Sequence, residues 1–229
     1  MYIIFTVGQY ITKKGEIRLN LDFNKNKIIS LLKAVDRDGI DELIKYLEER
    51  TDFFIAPAST HFHGNYKGGL AEHSINVMNI LKEKNERYSL NLSDESIVII
   101  GLLHDICKVN FYKNSMKLRR NDEGKWEAYK TYVIDDGVPL GHGEKSCIII
   151  QQFINLTLEE CMAIRYHMGA YLPKDEYKNL ENAKNRFPLI TAVYTADVEA
   201  SSYLEKTVVD IEIVDISIYN EMKRKGEII

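Results

Sequence analysis

Two acidic residues interrupt segments that are otherwise apolar. His104 and Asp105 fall in the stretch 97–106, which contains no other charged residue, and Asp197 is the one acid in PLITAVYTADV. An unpaired buried carboxylate costs several kcal/mol, roughly, unless something positive offsets it. A divalent cation would do so while also using a neutral imidazole, and we expect both acids to face one cation. A buried ion pair or capping network at Asp105, and a hydrogen bond to a helix N-terminus at Asp197, remain as alternatives.

Three further histidines extend this set of potential ligands. His73 shares the apolar face of a predicted helix with Leu70 and Val77, where a core histidine that donates to a carbonyl is the simpler interpretation. His142 lies between two glycines, and His167 ends a predicted helix in RYHMG. Taken singly, each is typical of a surface or capping residue. Together with His104 and the two acids they form an N and O ligand set suited to Mn, Fe, Ni, Co or Zn.

Composition excludes several other classes of protein. The 30 basic and 34 acidic residues create no broad basic surface, so tight nonspecific binding of nucleic acid is not favoured. No apolar run approaches the roughly 20 residues of a membrane span. Cys107, Cys147 and Cys161 form no CxxC pair, and we expect a cytoplasmic protein with reduced thiols and no membrane contact. HExxH, GxSxG, GxGxxG and P-loop patterns are missing from the sequence.

The elements that must position these residues are predicted to be mostly α-helical. The predicted helices are two within 25–49 and one each over 70–84, 93–107, 144–154, 157–167 and 186–201. Ser93, and Thr157 with Glu160, supply the capping signals. The sequence therefore predicts a helical bundle with small β-hairpin additions.

Strand patterns occur at the ends and in the middle of the chain. Segments 2–20 and 111–133 read as hairpins, and 208–218 alternates like a strand. Because an edge strand needs a partner, we expect 1–11 and 208–218 to pair. We expect residues 1–50 to pack as a hairpin and helices on the core, 51–205 to form the domain that carries the histidines, and 206–229 to form a tail.

The sequence around these positions resembles that of the HD superfamily of metal-dependent phosphohydrolases. The matching motifs are GGLAEHS around His73, GLLHDICK around His104 and Asp105, and YTADVEAS around Asp197, and the likeness runs from about Thr51 to Leu204. The resemblance implies that these four residues bind a first divalent metal. Such an ion would activate water for attack on phosphorus and withdraw charge from the phosphoryl oxygens.

Some branches of this superfamily carry two more histidines between the HD pair and the last Asp. His142 and His167 occupy that interval, so the resemblance implies a second metal, with Asp105 as a catalytic residue that bridges the two ions. A competing interpretation places both histidines on the substrate phosphate beside a single metal. Lys108 is predicted to share the helix face of Asp105 and to contact that phosphate, or else to be a solvated lysine. Cys107 replaces the glycine of the usual HDIGK, and we expect it to pack there without affecting a ligand.

The expected substrate is a small phosphate ester of the nucleotide type, either a monoester or a diester. A 3'-5' exoribonuclease-like activity on nucleic-acid ends is the alternative, since HFHGNYKGGLAEH resembles such members and the hairpin 111–133 carries basic and aromatic residues. A non-catalytic nucleotide sensor is a third hypothesis, which the loss of a ligand would indicate. Weaker candidates for substrate contact are His63, Lys67 and Lys145, and His61 is expected at the surface.

Overall fold

The structure is a computed structural model, and it describes residues 9–11, 17–205 and 212–228. Its mostly helical fold with small antiparallel sheets is the predicted one. The helices are α1 (Leu21–Lys33), α2 (Ile40–Glu49), α3 (Gly69–Tyr88), α4 (Asp94–Leu103), α5 (His142–Gln151), α6 (Leu158–Arg165), α7 (Tyr177–Arg186), α8 (Leu189–Glu199) and α9 (Ile216–Lys225). The strands are β1 (Gln9–Ile11), β2 (Ile17–Leu19), β3 (Tyr112–Arg120), β4 (Trp126–Ile134) and β5 (Ile213–Val214).

Helices α3, α4 and α8 pack together at the centre of the molecule. Helix α4 is almost wholly apolar, and four of its aliphatic side chains are completely buried, namely Ile99, Ile100, Leu102 and Leu103. Its N-terminus is fixed by Ser93, whose side chain accepts a hydrogen bond from the Ser96 N–H at 3.1 Å. The HD pair follows directly on α4 and therefore lies deep in the core.

A buried carboxylate, Glu160, ties three parts of the bundle together. It accepts two hydrogen bonds from the Arg37 guanidinium, at 2.6 and 2.8 Å, and a third from the Ser96 hydroxyl at 2.7 Å. It also accepts from the Thr157 N–H at 2.8 Å, which completes the predicted capping box of α6. Residues from the α1–α2 connection, from α4 and from α6 thus meet at one side chain.

Two helix boundaries and one whole helix differ clearly from prediction. Helix α4 ends at Leu103 rather than continuing through Cys107, because a 3₁₀ turn, Ile106–Lys108, follows the HD pair. Helix α7 was not predicted, since only Leu180 on it is buried and its sequence has no continuous apolar face. Helix α5 begins one residue after Gly141, so that His142 is its first residue rather than part of the preceding loop.

The predicted pairing of the two terminal segments is wrong for the residues that the structure describes. Strand β1 pairs with β2, and β5 pairs with β4 as the third strand of an antiparallel sheet in the order β3-β4-β5. The alternating tail pattern ends in helix α9, which Asp215 caps by accepting from the Ser217 N–H at 2.7 Å. The rest of this prediction, on 1–8 and 208–211, lies outside the described residues.

Within the described ranges, none of the helices combines the length and the apolar character that crossing a bilayer would require. The expected division of the chain after residues 50 and 205 stays a prediction.

The Glu160 cluster makes a prediction about stability. Arg37→Met should lower the free energy of unfolding by about 3 kcal/mol, because it leaves a buried carboxylate without its cation. The matched control is Lys25→Met, which removes an exposed pair with Glu48 at 3.1 Å and should cost less than about 1 kcal/mol. Denaturant unfolding monitored by circular dichroism measures both, and equal losses in the two variants would contradict the assignment.

Candidate metal centre

Three central helices and the turn after α4 bring four polar side chains to one buried point. His73 Nε2 lies 3.2 Å from His104 Nε2, 3.3 Å from Asp197 Oδ1 and 3.6 Å from Asp105 Oδ2. His73 and His104 are completely buried, and Asp105 is 2 % exposed. The sequence motifs on α3, α4 and α8 therefore meet in space.

The close approach of α3 and α4 depends on Gly101. A Cβ atom at this position would lie only 2.4 Å from the Cα atom of Met78, so a larger residue would push the two helices apart. The approach brings the ring centroids of His73 and His104 to 5.2 Å, with the rings tilted by 57°. Gly101 thus helps to set the distance between two candidate ligands.

Each of three histidines is oriented by a contact at its Nδ1 atom. His104 Nδ1 donates to the Gly101 carbonyl at 3.0 Å, and His167 Nδ1 donates to the Ile164 carbonyl at 2.7 Å. His73 Nδ1 donates to the Glu205 carboxylate at 2.9 Å. These contacts fix the tautomer and leave each Nε2 atom facing the centre, the arrangement typical of metal-binding histidines.

Glu205 is a residue of the site that the sequence analysis missed. It follows a π-helical turn, Ala200–Leu204, at the end of α8, and its carboxylate also accepts from Asn76 Nδ2 at 3.3 Å. The turn adds a residue relative to α-helical geometry, so the register of α8 does not predict where Glu205 points. Burial raises the pKa of Glu205, but the His73 charge outweighs this and the net pKa is lowered.

The two oxygens of Asp105 face different neighbours. Oδ2 lies 2.7 Å from Lys108 Nζ and 3.7 Å from His104 Nε2, and Oδ1 lies 3.4 Å from His167 Nε2. The 3₁₀ turn brings Lys108 above Asp105, since residues three apart eclipse in that geometry. A carboxylate with ligand atoms on both sides is suited to bridging two cations.

Charge, rather than burial alone, sets the protonation of this cluster. Burial lowers the pKa of His73, but the negative charges of Glu205 and Asp197 outweigh it and raise that pKa to about 10. Burial dominates at His104 and lowers its pKa to about 4. Burial raises the pKa of Asp105, yet the Lys108 charge and the His167 hydrogen bond hold it well below its usual value. Without a metal, the positive charges of protonated His73 and of Lys108 balance the negative charges of Asp197 and Asp105.

His142 approaches the same carboxylate from α5. Its ligand atom and that of Asp105 lie within 4.8 Å of each other, and its Nδ1 atom is buried without a hydrogen-bond partner. The flanking Gly143 makes room for another part of the protein. A Cβ there would lie 2.2 Å from the Arg165 carbonyl, so Gly143 lets α5 pack on the end of α6, next to His167.

A divalent cation fits the side chains at this point. Ligand atoms about 2 Å from one ion are themselves about 3 Å apart, which is close to the separations around His73 Nε2. The Nε2 atom of His167 is buried and faces Asp105 Oδ1 at 3.4 Å, so these two atoms could share a cation. Nitrogen and carboxylate oxygen donors of this kind suit a first-row transition metal.

The weaker candidates for substrate contact are distributed unevenly. His63 is half-buried, with its ring 5.2 Å from that of His73 and its Nε2 atom 4.0 Å from Glu205. Lys145 is paired with Asp136 at 2.6 Å and lies over the Phe111 ring. Lys67 and His61 are exposed. The structure therefore brings His63 to the centre and leaves Lys67 at the surface.

Comparison with known families agrees with this geometry, since the HD domain family matches residues 70–211 of the chain. The chain belongs to the HD domain family. The match includes His73, the HD pair and Asp197, and it runs past the expected domain end at 205. This is a family of phosphohydrolases, and membership of it implies a divalent metal.

One curated relative is the dihydroneopterin 2',3'-cyclic phosphate phosphodiesterase of Methanocaldococcus jannaschii. It is 33% identical to this chain over 117 residues, which is 48% of this chain and 42% of the relative. The chain thus matches less than half the length of that enzyme. No solved structure matches the chain significantly.

The contact between Glu205 and His73 predicts an effect on metal affinity. Glu205→Ala should weaken binding of a divalent metal about 10–100-fold, because His73 loses the partner that orients it. Glu199→Ala is the matched control, since Glu199 pairs with Lys84 at 2.6 Å near the other end of the same turn. Isothermal titration of metal-free protein measures both, and an unchanged dissociation constant in Glu205→Ala would contradict the role.

The pKa of about 10 for His73 predicts that metal binding releases a proton. Near neutral pH this ring is protonated in the metal-free protein, and it must lose its proton to donate an Nε2 lone pair. His104, with a pKa of about 4, is already neutral and contributes none. Affinity should therefore rise between about pH 6 and about pH 8. Titrations in buffers of different ionisation enthalpy count the protons, and a count near zero would disprove this assignment.

Proposed function

We propose that this HD-domain phosphohydrolase hydrolyses a small phosphodiester, with a cyclic phosphate on a pterin- or nucleotide-like compound as the best candidate. The observation that carries the proposal is the buried cluster of His73, His104 and Asp105, whose ligand atoms lie within 4.8 Å of one another, with Asp197 Oδ1 3.3 Å from His73 Nε2. The curated relative, itself a cyclic phosphate phosphodiesterase, supports the choice of substrate class.

The proposed ligands divide into two sets that share Asp105. The first set is His73, His104, Asp105 and Asp197, and the second is Asp105, His142 and His167. His167 Nε2 approaches Asp105 Oδ1 from the turn after α6, and Lys108 and His73 approach Oδ2. His142 approaches the same carboxylate from α5. Candidate ions are Mn, Fe, Ni, Co and Zn, since these donors suit any of them.

When bound, the divalent ion supplies a Lewis acid that acidifies water and draws charge from the phosphoryl oxygens. Asp105 and Asp197 hold the negative charge that retains the cation at the centre of the bundle. Lys108 is proposed as a catalytic residue that contacts the substrate phosphate, since its ammonium group already lies over Asp105 and its side chain is 10 % exposed. His63 is proposed to line the entrance beside His73, and Lys145 to contact substrate more weakly, with Lys67 a peripheral contact.

The hairpin β3–β4 favours a small substrate over a nucleic-acid end. Two of its basic residues are already paired with carboxylates, Lys113 with Asp135 and Arg119 with Glu127 at 2.6 Å. Arg120 lies over the Trp126 ring, 5.2 Å from its centroid. Because these three basic side chains already have partners within the hairpin, they are less available to bind a phosphate backbone.

A panel of substrates tests the proposal directly. Protein loaded with each candidate metal should hydrolyse dihydroneopterin 2',3'-cyclic phosphate or 2',3'-cyclic nucleotides, and should act more slowly on an oligoribonucleotide. Asp105→Asn should lower activity at least about a hundredfold and reduce metal content. Asp105 is itself a proposed ligand, and the loss of a ligand costs more metal affinity than the loss of a residue that orients one. Elemental analysis gives the metal content of each protein.

The matched control is Asp122→Asn, which changes an exposed acid in the hairpin turn and should leave both activity and metal content unchanged. Preferred cleavage of the oligoribonucleotide would favour the exoribonuclease alternative. Metal binding without hydrolysis of any phosphate ester would favour the nucleotide sensor.

A further inference from the structure

The cysteine that replaces glycine in the HDIGK pattern lies beside the proposed second metal. Cys107 belongs to the 3₁₀ turn after the HD pair and is 2 % exposed. Its Sγ atom is 4.0 Å from Asp105 Oδ1, the oxygen that faces away from Lys108. The sequence predicts only a packing role for Cys107, but its thiol lies next to a candidate metal ligand.

The ligand atoms of Asp105, Cys107 and His142 all lie within 4.8 Å of one another. Two of these groups are buried, and the half-buried His142 keeps its Nδ1 atom buried without a hydrogen-bond partner. One thiol, one imidazole and one carboxylate thus surround one point, and Lys108 contacts the other oxygen of that carboxylate, Oδ2, at 2.7 Å.

The position of Cys107 is fixed by its backbone. Its N–H donates to the Ser146 hydroxyl at 3.2 Å, which ties the turn to α5, the helix that begins with His142. The same contact holds the turn that carries the Cys107 Sγ atom at a fixed position relative to the helix that carries the His142 imidazole. A flexible side chain would not need such a tether to pack.

We propose that Cys107 Sγ is a ligand of the second metal, together with His142 and Asp105 Oδ1. This inference rests on the proposed two-metal centre and adds a sulfur donor to one of its two sites. Sulfur makes that site more selective for thiophilic ions such as Zn²⁺ and Co²⁺, while the first site, with nitrogen and oxygen donors, remains harder. The thiol gives its proton to solvent when the S–metal bond forms.

Cobalt titration reads this ligand directly, because a thiolate bound to Co²⁺ produces a near-ultraviolet charge-transfer band that nitrogen and oxygen ligands do not. The metal-free protein should bind two equivalents of Co²⁺, and the band should grow with one of them. Cys107→Ser should lose the band, whereas Cys147→Ser and Cys161→Ser should keep it.

A second variant guards against misfolding of Cys107→Ser. The double variant Cys147→Ser/Cys161→Ser leaves Cys107 as the only cysteine of the chain's three, so any thiolate band must come from it. Cys147 and Cys161 have their Sγ atoms 3.6 Å apart between α5 and α6, where they are the competing source of such a band.

The outcomes separate this inference from the proposed function. A band that survives in the double variant supports thiolate ligation by Cys107. Two bound equivalents without the band, or a band lost in the double variant, overturn the inference and leave the metal centre intact. One bound equivalent without the band overturns the inference together with the second metal site, and it leaves the first site in place. Protein that binds no Co²⁺, Mn²⁺ or Zn²⁺ overturns the proposed function as well.

Discussion

Two carboxylates held close together in an apolar bundle are the constraint around which the structure is organised. Asp105 and Asp197 both lie against His73, and neither could stay ionised in such surroundings without nearby positive charge. In the metal-free protein that charge comes from Lys108 and a protonated His73. A bound cation would take over the same task once His73 gives up its proton.

The fold serves this point through backbone features rather than through the ligands alone. Gly101 allows α3 and α4 to come close enough for two imidazoles to share a centre, and Gly143 does the same for α5 and α6. Glu160 then fixes the N-terminal ends of α4 and α6 to the connection that carries Arg37. Residues far from the site thus hold the helices at the angles that the site requires.

What the sequence could predict follows from how strongly each residue conflicts with its surroundings. Asp105 and Asp197 stand out because a charge in an apolar segment demands an explanation, and the helical fold follows from the same apolar periodicity. Glu205 gives no such signal, since it follows an irregular turn and lies beside polar residues. The tail misled for the opposite reason: its alternation resembles a strand, whereas in the structure Asp215 accepts from the Ser217 N–H and caps a helix.

The π-helical turn Ala200–Leu204 has a consequence for how this chain can vary in length. A turn of this type holds one residue more than an α-turn, so deleting a residue there could restore α-helical geometry. That deletion would leave Glu205 close to its present direction, whereas any further insertion or deletion in the segment would rotate it by about 100° away from His73 and leave Asp197 in place. Loops elsewhere tolerate insertions and deletions, but this short segment acts as a fixed spacer between a candidate ligand and the carboxylate that orients another.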